Sequence, residues 1–137
     1  MANEAPVTLV DTNVIIDVAA QDPTWSAWSA TKLADAADAG DLVINPIIYA
    51  EVSIAYAAIE DLDAMLGNDY RREELPYSAA FLAGKAYLTY RRSGGSKRSP
   101  LPDFYIGAHA AVRGYRLLTR DRTRYATYFP SLALIAP

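Results

Sequence analysis

The chain has 137 residues, 52% of them hydrophobic, no cysteine and a formal net charge of −3. That size and apolar content suit one compact domain, and residues 1–137 are expected to form a single one. The lack of cysteine excludes disulfides, thiolate zinc sites and cysteine nucleophiles, and fits the cytoplasm, the compartment expected for this chain. No apolar run is long enough for a bilayer, and Met1 to Pro6 has neither the charge nor the apolar core of a secretory signal, so no membrane association is expected.

In chain order, Val7 to Val10 is a short apolar run read as a buried strand. It ends at Asp11, which places a carboxylate at the carboxyl edge of a sheet, where open α/β sheets bind ligands. Read alone, Asp11, Thr12 and Asn13 equally suit a helix N-cap. Thr24 to Ala39 is a helical pattern with Thr24 as N-cap and Gly40 as stop. Leu42-Val43-Ile44 is a second buried strand, and Asn45-Pro46 starts a helix with Asn as cap and Pro at the first position. Ile59, Leu62 and Leu66 mark a further helix ending near Gly67.

Arg71 to Pro76 has room for a short strand. Ser78 to Arg92 reads as a helix stopped by Gly94-Gly95, and Ser93 to Pro102 as a flexible loop carrying Lys97 and Arg98. A helix follows from Asp103 to Val112, stopped by Gly114. Arg116 to Thr119 is a strand with Asp121 just beyond it, and Leu132 to Ile135 is the last strand. Strands alternating with helices predict an α/β fold with a mainly parallel sheet and helices on both faces.

Four acids collect near strand ends in this reading. Glu51 shares a helical face with Ile47, Ile48, Ile54 and Ala55, where an unpaired charge is costly, so it calls for a cation or for an edge position open to solvent. Asp103 opens an apolar helix directly after the basic loop, a place that helix capping alone also explains. Asp121 follows its strand as Asp11 follows the first. Clustered carboxylates repel unless a cation lies among them, and an all-oxygen set suits Mg²⁺ or Mn²⁺. The only histidine, His109, lies six residues past Asp103 and reads as packing or surface. No P-loop or glycine-rich nucleotide fingerprint occurs.

The charge is unevenly spread. Residues 1–69 carry twelve acidic side chains and one basic, net −11, and residues 70–137 carry four acidic and twelve basic, net +8. The overall −3 argues against a nucleic-acid partner, whereas the asymmetry argues for a charged surface with a use. Folding that intermixes the halves is equally open.

The combination Asp11-Thr12-Asn13, Glu51, Pro102 to Ala110 and Leu118-Thr119-Arg120-Asp121, with the ending Tyr128-Phe129-Pro130 and Leu134 to Pro137, resembles a PIN domain of the VapC toxin type over essentially the whole chain. The resemblance implies a three-layer α/β/α fold with a central, mainly parallel twisted sheet. It implies a Mg²⁺- or Mn²⁺-dependent endoribonuclease that hydrolyses RNA with a metal-activated water, forms a homodimer and is held by a cognate VapB-type antitoxin. By motif position Asp11, Glu51, Asp103 and Asp121 would be the catalytic, metal-holding acids, with Asn13 and Thr119 in support. Lys97, Arg98, Arg120 and Arg122 are candidates for RNA phosphate contacts, alongside Arg91, Arg92 and Arg124. Two alternatives share the fold: a PIN ribonuclease of RNA processing without an antitoxin, and an inactive PIN-like module that binds RNA or protein. A signalling receiver domain would want adjacent acids after its first strand and a late lysine, and the chain has neither.

Overall fold

A computed structural model describes residues 5–98 and 101–137. The chain runs β1 (Thr8–Val10), α1 (Thr12–Ala19), α2 (Ser26–Ala39), β2 (Leu42–Ile44), α3 (Pro46–Ser53), α4 (Ile59–Leu66), β3 (Tyr70–Arg72), α5 (Tyr77–Arg92), α6 (Pro102–Arg113), β4 (Arg116–Leu118), α7 (Arg122–Tyr128) and β5 (Leu134–Ile135). The five strands form one sheet in the order β3-β2-β1-β4-β5, every pairing parallel. β1 and β2 are buried along their length, as are Leu117 and Leu118 of β4. Such unbroken apolar strands require both faces of a parallel sheet to be covered, giving the three-layer α/β/α arrangement.

The sheet grows outward from β1, first through β2 to β3 and then, on the other side, through β4 to β5. The gap between the carboxyl ends of β1 and β4 is therefore the topological switch point, where flanking connections diverge and leave a crevice. The Asp11 amide donates to the Leu118 carbonyl at 2.9 Å, which ties the two strand ends together as they leave the sheet.

Two helices exceed the sequence expectations. Residues after Asp11 form α1 although Val14, Ile15, Ile16 and Val18 favour strand conformation. Burial of Val14 and Ile15 against the sheet overrides that local preference. α7 also had no expectation: seven residues with three basic or hydroxyl side chains at its start show little apolar periodicity. α2 begins at Ser26 rather than Thr24. The Asp22 carboxylate accepts from the Thr24 and Trp25 amides at 3.0 and 2.7 Å in the turn leading into α2, whose N-cap position, Trp25, has no side-chain cap, so Thr24 does not cap the helix. The expected loop from Ser93 to Pro102 lies partly outside the described residues, at Ser99 and Pro100.

α6 and α7 meet closely because of Gly107. A Cβ there would come within 2.5 Å of the Phe129 ring and 3.1 Å of the Tyr125 ring. Without that side chain, the buried Tyr125 and Phe129 rings approach α6 closely at Gly107, and the Tyr125 hydroxyl reaches Asp11 at the switch point. No helix among the described residues is long and apolar enough to cross a membrane.

Candidate active site at the switch point

Asp11 is the N-cap of α1 and is 4% exposed. Its Oδ1 accepts from the Thr12 amide at 2.8 Å. Its Oδ2 accepts from the Thr119 hydroxyl at 2.8 Å, from the Tyr125 hydroxyl at 2.9 Å and, at 3.4 Å, from the Asn13 amide group. Burial pushes the Asp11 carboxyl up to about 6. The Thr119, Tyr125 and Thr12 donors pull the other way, while the nearby Asp103 adds to the rise. Four donors thus hold a carboxylate that has no counter-charge among the described residues.

Thr119 joins β4 to this carboxylate. Its hydroxyl also receives the Asp121 amide at 3.0 Å, so Asp121 leaves the strand tethered to the same oxygen that binds Asp11. Asn13 completes the link: its amide group reaches the Thr119 hydroxyl at 3.4 Å, and its Oδ1 accepts from the Arg120 amide at 3.1 Å. Asn13 and Thr119, the residues expected to support the acids, both donate to the Asp11 carboxylate. Glu51, in the last turn of α3, is half-buried and accepts from the Thr12 hydroxyl at 2.7 Å. A neighbouring hydroxyl, rather than a cation, therefore meets the carboxylate that the sequence placed on an apolar face.

Asp103, in the first turn of α6, and Asp121, the N-cap of α7, stand beside Arg124. The Arg124 guanidinium hydrogen-bonds Asp103 through Nη1 and lies 3.5 Å from Asp121 through Nε. These contacts, Asp103 first, hold the guanidinium pKa above its ordinary value. The Tyr125 hydroxyl lies within reach of both Asp11 (2.9 Å) and Asp103 (3.3 Å), and its burial together with those two carboxylates raises its pKa well above that of a free phenol. Tyr125 consequently stays protonated, with one hydroxyl proton placed between the two acids and closer to Asp11. Three of the acids sit at helix starts, where backbone amides and the helix dipole stabilise negative charge.

Among the described residues, no group of three acidic or histidine side chains stands close enough to hold one metal ion. The donor set nonetheless fits a hard divalent cation. Asp103 and Asp121 already share a positive group, and Asp11 is buried, negative at neutral pH and short of a counter-charge. Asp11, Asp103 and Asp121, with Glu51 beside them through Thr12, are the residues that would hold it.

Of the cations expected at RNA phosphates, Arg120 and Arg122 are bound within the chain, as are Arg91, to the Lys97 carbonyl, and Arg124, to Asp103. Arg120 forms a two-point pair with the buried Asp17, Nε to Oδ2 at 2.6 Å and Nη2 to Oδ1 at 3.0 Å, and Arg122 donates to the Ala136 and Pro137 carbonyls. Lys97 and Arg98 are exposed. His109 is fully buried, bonded to Asn45 and Glu73, and acts as packing.

Sequence reasoning passed over Tyr125 and Asp17. Asp17 had a signal: it closes the apolar run Val14-Ile15-Ile16, where, as at Glu51, a charge calls for a partner. Its partners are Arg120 and the Ser29 hydroxyl at 2.8 Å. Tyr125 had none, because its role depends on where α7 packs.

The PIN domain family model matches residues 8–129. VapBC2 from Rickettsia felis, solved bound to a DNA fragment from its promoter, is similar in structure with a TM-score of 0.73 at 17% identity, over 95% of this chain and 98% of that one. VapBC-1 from nontypeable Haemophilus influenzae gives 0.70 at 18% identity, over 95% and 97%. A toxin–antitoxin complex from Klebsiella pneumoniae gives 0.66 at 20% identity, over 93% and 95%. At these identities the likeness is one of fold. No curated protein matches the chain.

Proposed function

Since the chain belongs to the PIN domain family, a family of metal-dependent nucleases, we propose that it is a Mg²⁺- or Mn²⁺-dependent endoribonuclease and the toxin of a VapBC-type toxin–antitoxin pair. The observation that carries the reading is the Asp11 carboxylate at the switch point, joined to Asp103 by one tyrosine hydroxyl and to Asp121 through Thr119. When bound, a divalent cation would lower the pKa of water and offset charge on a phosphodiester.

The chain's own residues supply the rest. Asp11, Asp103, Asp121 and Glu51 provide oxygen ligands from four separate elements. Thr119, Asn13 and the Thr12 amide fix the orientation of Asp11, and Tyr125 remains protonated, its single hydroxyl proton donated to Asp11 with Asp103 within reach as the alternative acceptor. Such pre-set geometry is what in-line attack of water on a phosphodiester needs from a protein. No side-chain nucleophile is required.

Two partners belong to this reading, an antitoxin and a second copy of the chain. Support for the antitoxin comes from the structural neighbours, which are toxin–antitoxin complexes. Large apolar side chains stand in solvent at Ile54 and Ile59 around the α3–α4 connection, and at Tyr77 and Phe81 on α5. Those exposed positions suit protein partners.

The test is cleavage of a total RNA pool by the purified chain, freed of any antitoxin, with Mg²⁺, with Mn²⁺ and with chelator, beside Asp103→Asn. Discrete fragments that require the metal and fall at least about a hundredfold in the variant are expected, because one acid ligand is lost. Intact RNA with wild type under every condition would sink the nuclease and favour the binding module.

A further inference from the structure

A cleft of about 500 Å³ opens directly beside Asp103 and Asp121, between the end of α5, the start of α6 and the outer side of α7. Its wall includes Tyr90, Phe104, Tyr128 and Leu101; Lys97 supplies positive charge, and Arg124 is paired with Asp103 and Asp121 in the same wall. The three rings pack edge-to-face, Phe104 to Tyr128 at 5.1 Å, Tyr90 to Phe104 at 5.7 Å and Tyr90 to Tyr128 at 6.4 Å. Phe104 is buried beneath the other two.

This arrangement is built rather than incidental. The Tyr90 hydroxyl accepts from the Ser96 and Lys97 amides at 3.2 and 3.3 Å, and a Cβ on Gly95 would strike the Tyr90 ring at 2.3 Å. The loop is thus folded onto Tyr90. The Lys97 carbonyl accepts from the Tyr87 hydroxyl and from Arg91, which holds the backbone of Lys97 at the cleft rim. Aromatic carbon flanked by a cation, continuous with an acid cluster, matches the chemistry of a nucleotide: a flat base for the rings and a phosphate for the cation.

We infer that this cleft seats the RNA nucleotide next to the scissile phosphate, with its base against the Tyr128 and Tyr90 rings and its phosphate at Lys97. The inference rests on the ribonuclease reading and adds to it a place where base identity is sensed. Rings discriminate by stacking area, so the cleft would favour some bases over others without a hydrogen-bond code.

The test uses the full chain and a dye-labelled pool of random ten-nucleotide single-stranded RNA. Affinity is read by anisotropy without metal, and cleavage with Mn²⁺ is read by sequencing the products. Thr127→Trp fills the cleft from its α7 wall, Tyr128→Leu removes a ring, and Thr127→Val leaves the cleft open. The expected result is affinity weakened on the order of tenfold in Thr127→Trp and Tyr128→Leu, as loss of one stacked base implies, with wild-type affinity in Thr127→Val. In cleavage, KM rises by a similar factor while kcat stays within a few fold, and the base preference beside the cut changes. Unfolding midpoints near wild type establish that the variants are folded. Unchanged affinity in both Thr127→Trp and Tyr128→Leu would overturn the inference and leave the cleft to a protein segment. Absence of cleavage in every protein, with affinity still dependent on the cleft, would instead sink the nuclease and keep the RNA seat.

Discussion

Arg124 is the side chain on which the acid cluster turns. It neutralises Asp103 and Asp121 from within the chain, so a divalent cation held by these acids would have to displace it. The side chain is half-exposed, and an ion pair so open to water contributes only about 1 kcal/mol. Arg124→Gln should therefore bind Mn²⁺ more tightly, by about fivefold, in a titration that follows free Mn²⁺ by electron paramagnetic resonance. Equal affinities would mean that the guanidinium and the metal do not compete.

Asp11 gives a pH signature at the same scale. Its native carboxyl titrates at about 6, above the ordinary 3.8, so the folded protein holds this proton more tightly than the unfolded chain. Its stabilising contribution is full below the ordinary value and is lost as pH rises through 6. His109 runs the other way: burial lowers its pKa, so its contribution is lost as pH falls below about 6.5. Comparison with Asp11→Asn cancels the histidine. In chelator, urea unfolding should show wild type gaining about 1 kcal/mol relative to Asp11→Asn between pH 7 and pH 5. A constant difference across that range would contradict the raised carboxyl.

At the scale of elements, the site depends on how α7 lies on α6. Tyr125 reaches Asp11 and Asp103 only because Gly107 leaves room for its ring and for Phe129. Gly107→Ala sets two effects against each other. Alanine favours the helix by about 1 kcal/mol. A Cβ 2.5 Å from a buried ring costs about 1–3 kcal/mol through overpacking and shifts α7. Overpacking should win, with a lower thermal unfolding midpoint and a loss of RNA cleavage larger than the loss of stability explains. Wild-type stability and activity together would show that α7 is free to move.

Over the whole molecule, the halves of opposite charge partly neutralise each other. Arg71 pairs with Asp41, Arg72 with Asp63 and Arg120 with Asp17, each a basic residue of the second half with an acid of the first. The positive charge left at the cleft includes Lys97. RNA binding should then depend on salt through few contacts, with a slope of log affinity against log salt of roughly −2 for two to three phosphates on a single strand. Lys97→Ala should flatten that slope by about 0.7. A slope near −8 would mean that the whole basic half faces the RNA.

The amino-acid order by itself determined the alternation of strands and helices, the parallel sheet and the positions of Asp11, Asp103 and Asp121 near element ends, because apolar runs, caps and turns are local signals. It also placed Glu51 as an acid out of keeping with its helix face. Only the tertiary structure decided what answers each charge. Thr12 meets Glu51, Asp17 captures Arg120, and Arg124 lies between Asp103 and Asp121. It also decided that Tyr125 bridges two acids. Those pairings join residues up to 114 apart in sequence, as Tyr125 and Asp11 are, and α7 has no periodicity to announce itself. Contacts of that range follow from how the layers pack, a property of the whole sheet and its helices rather than of any one stretch.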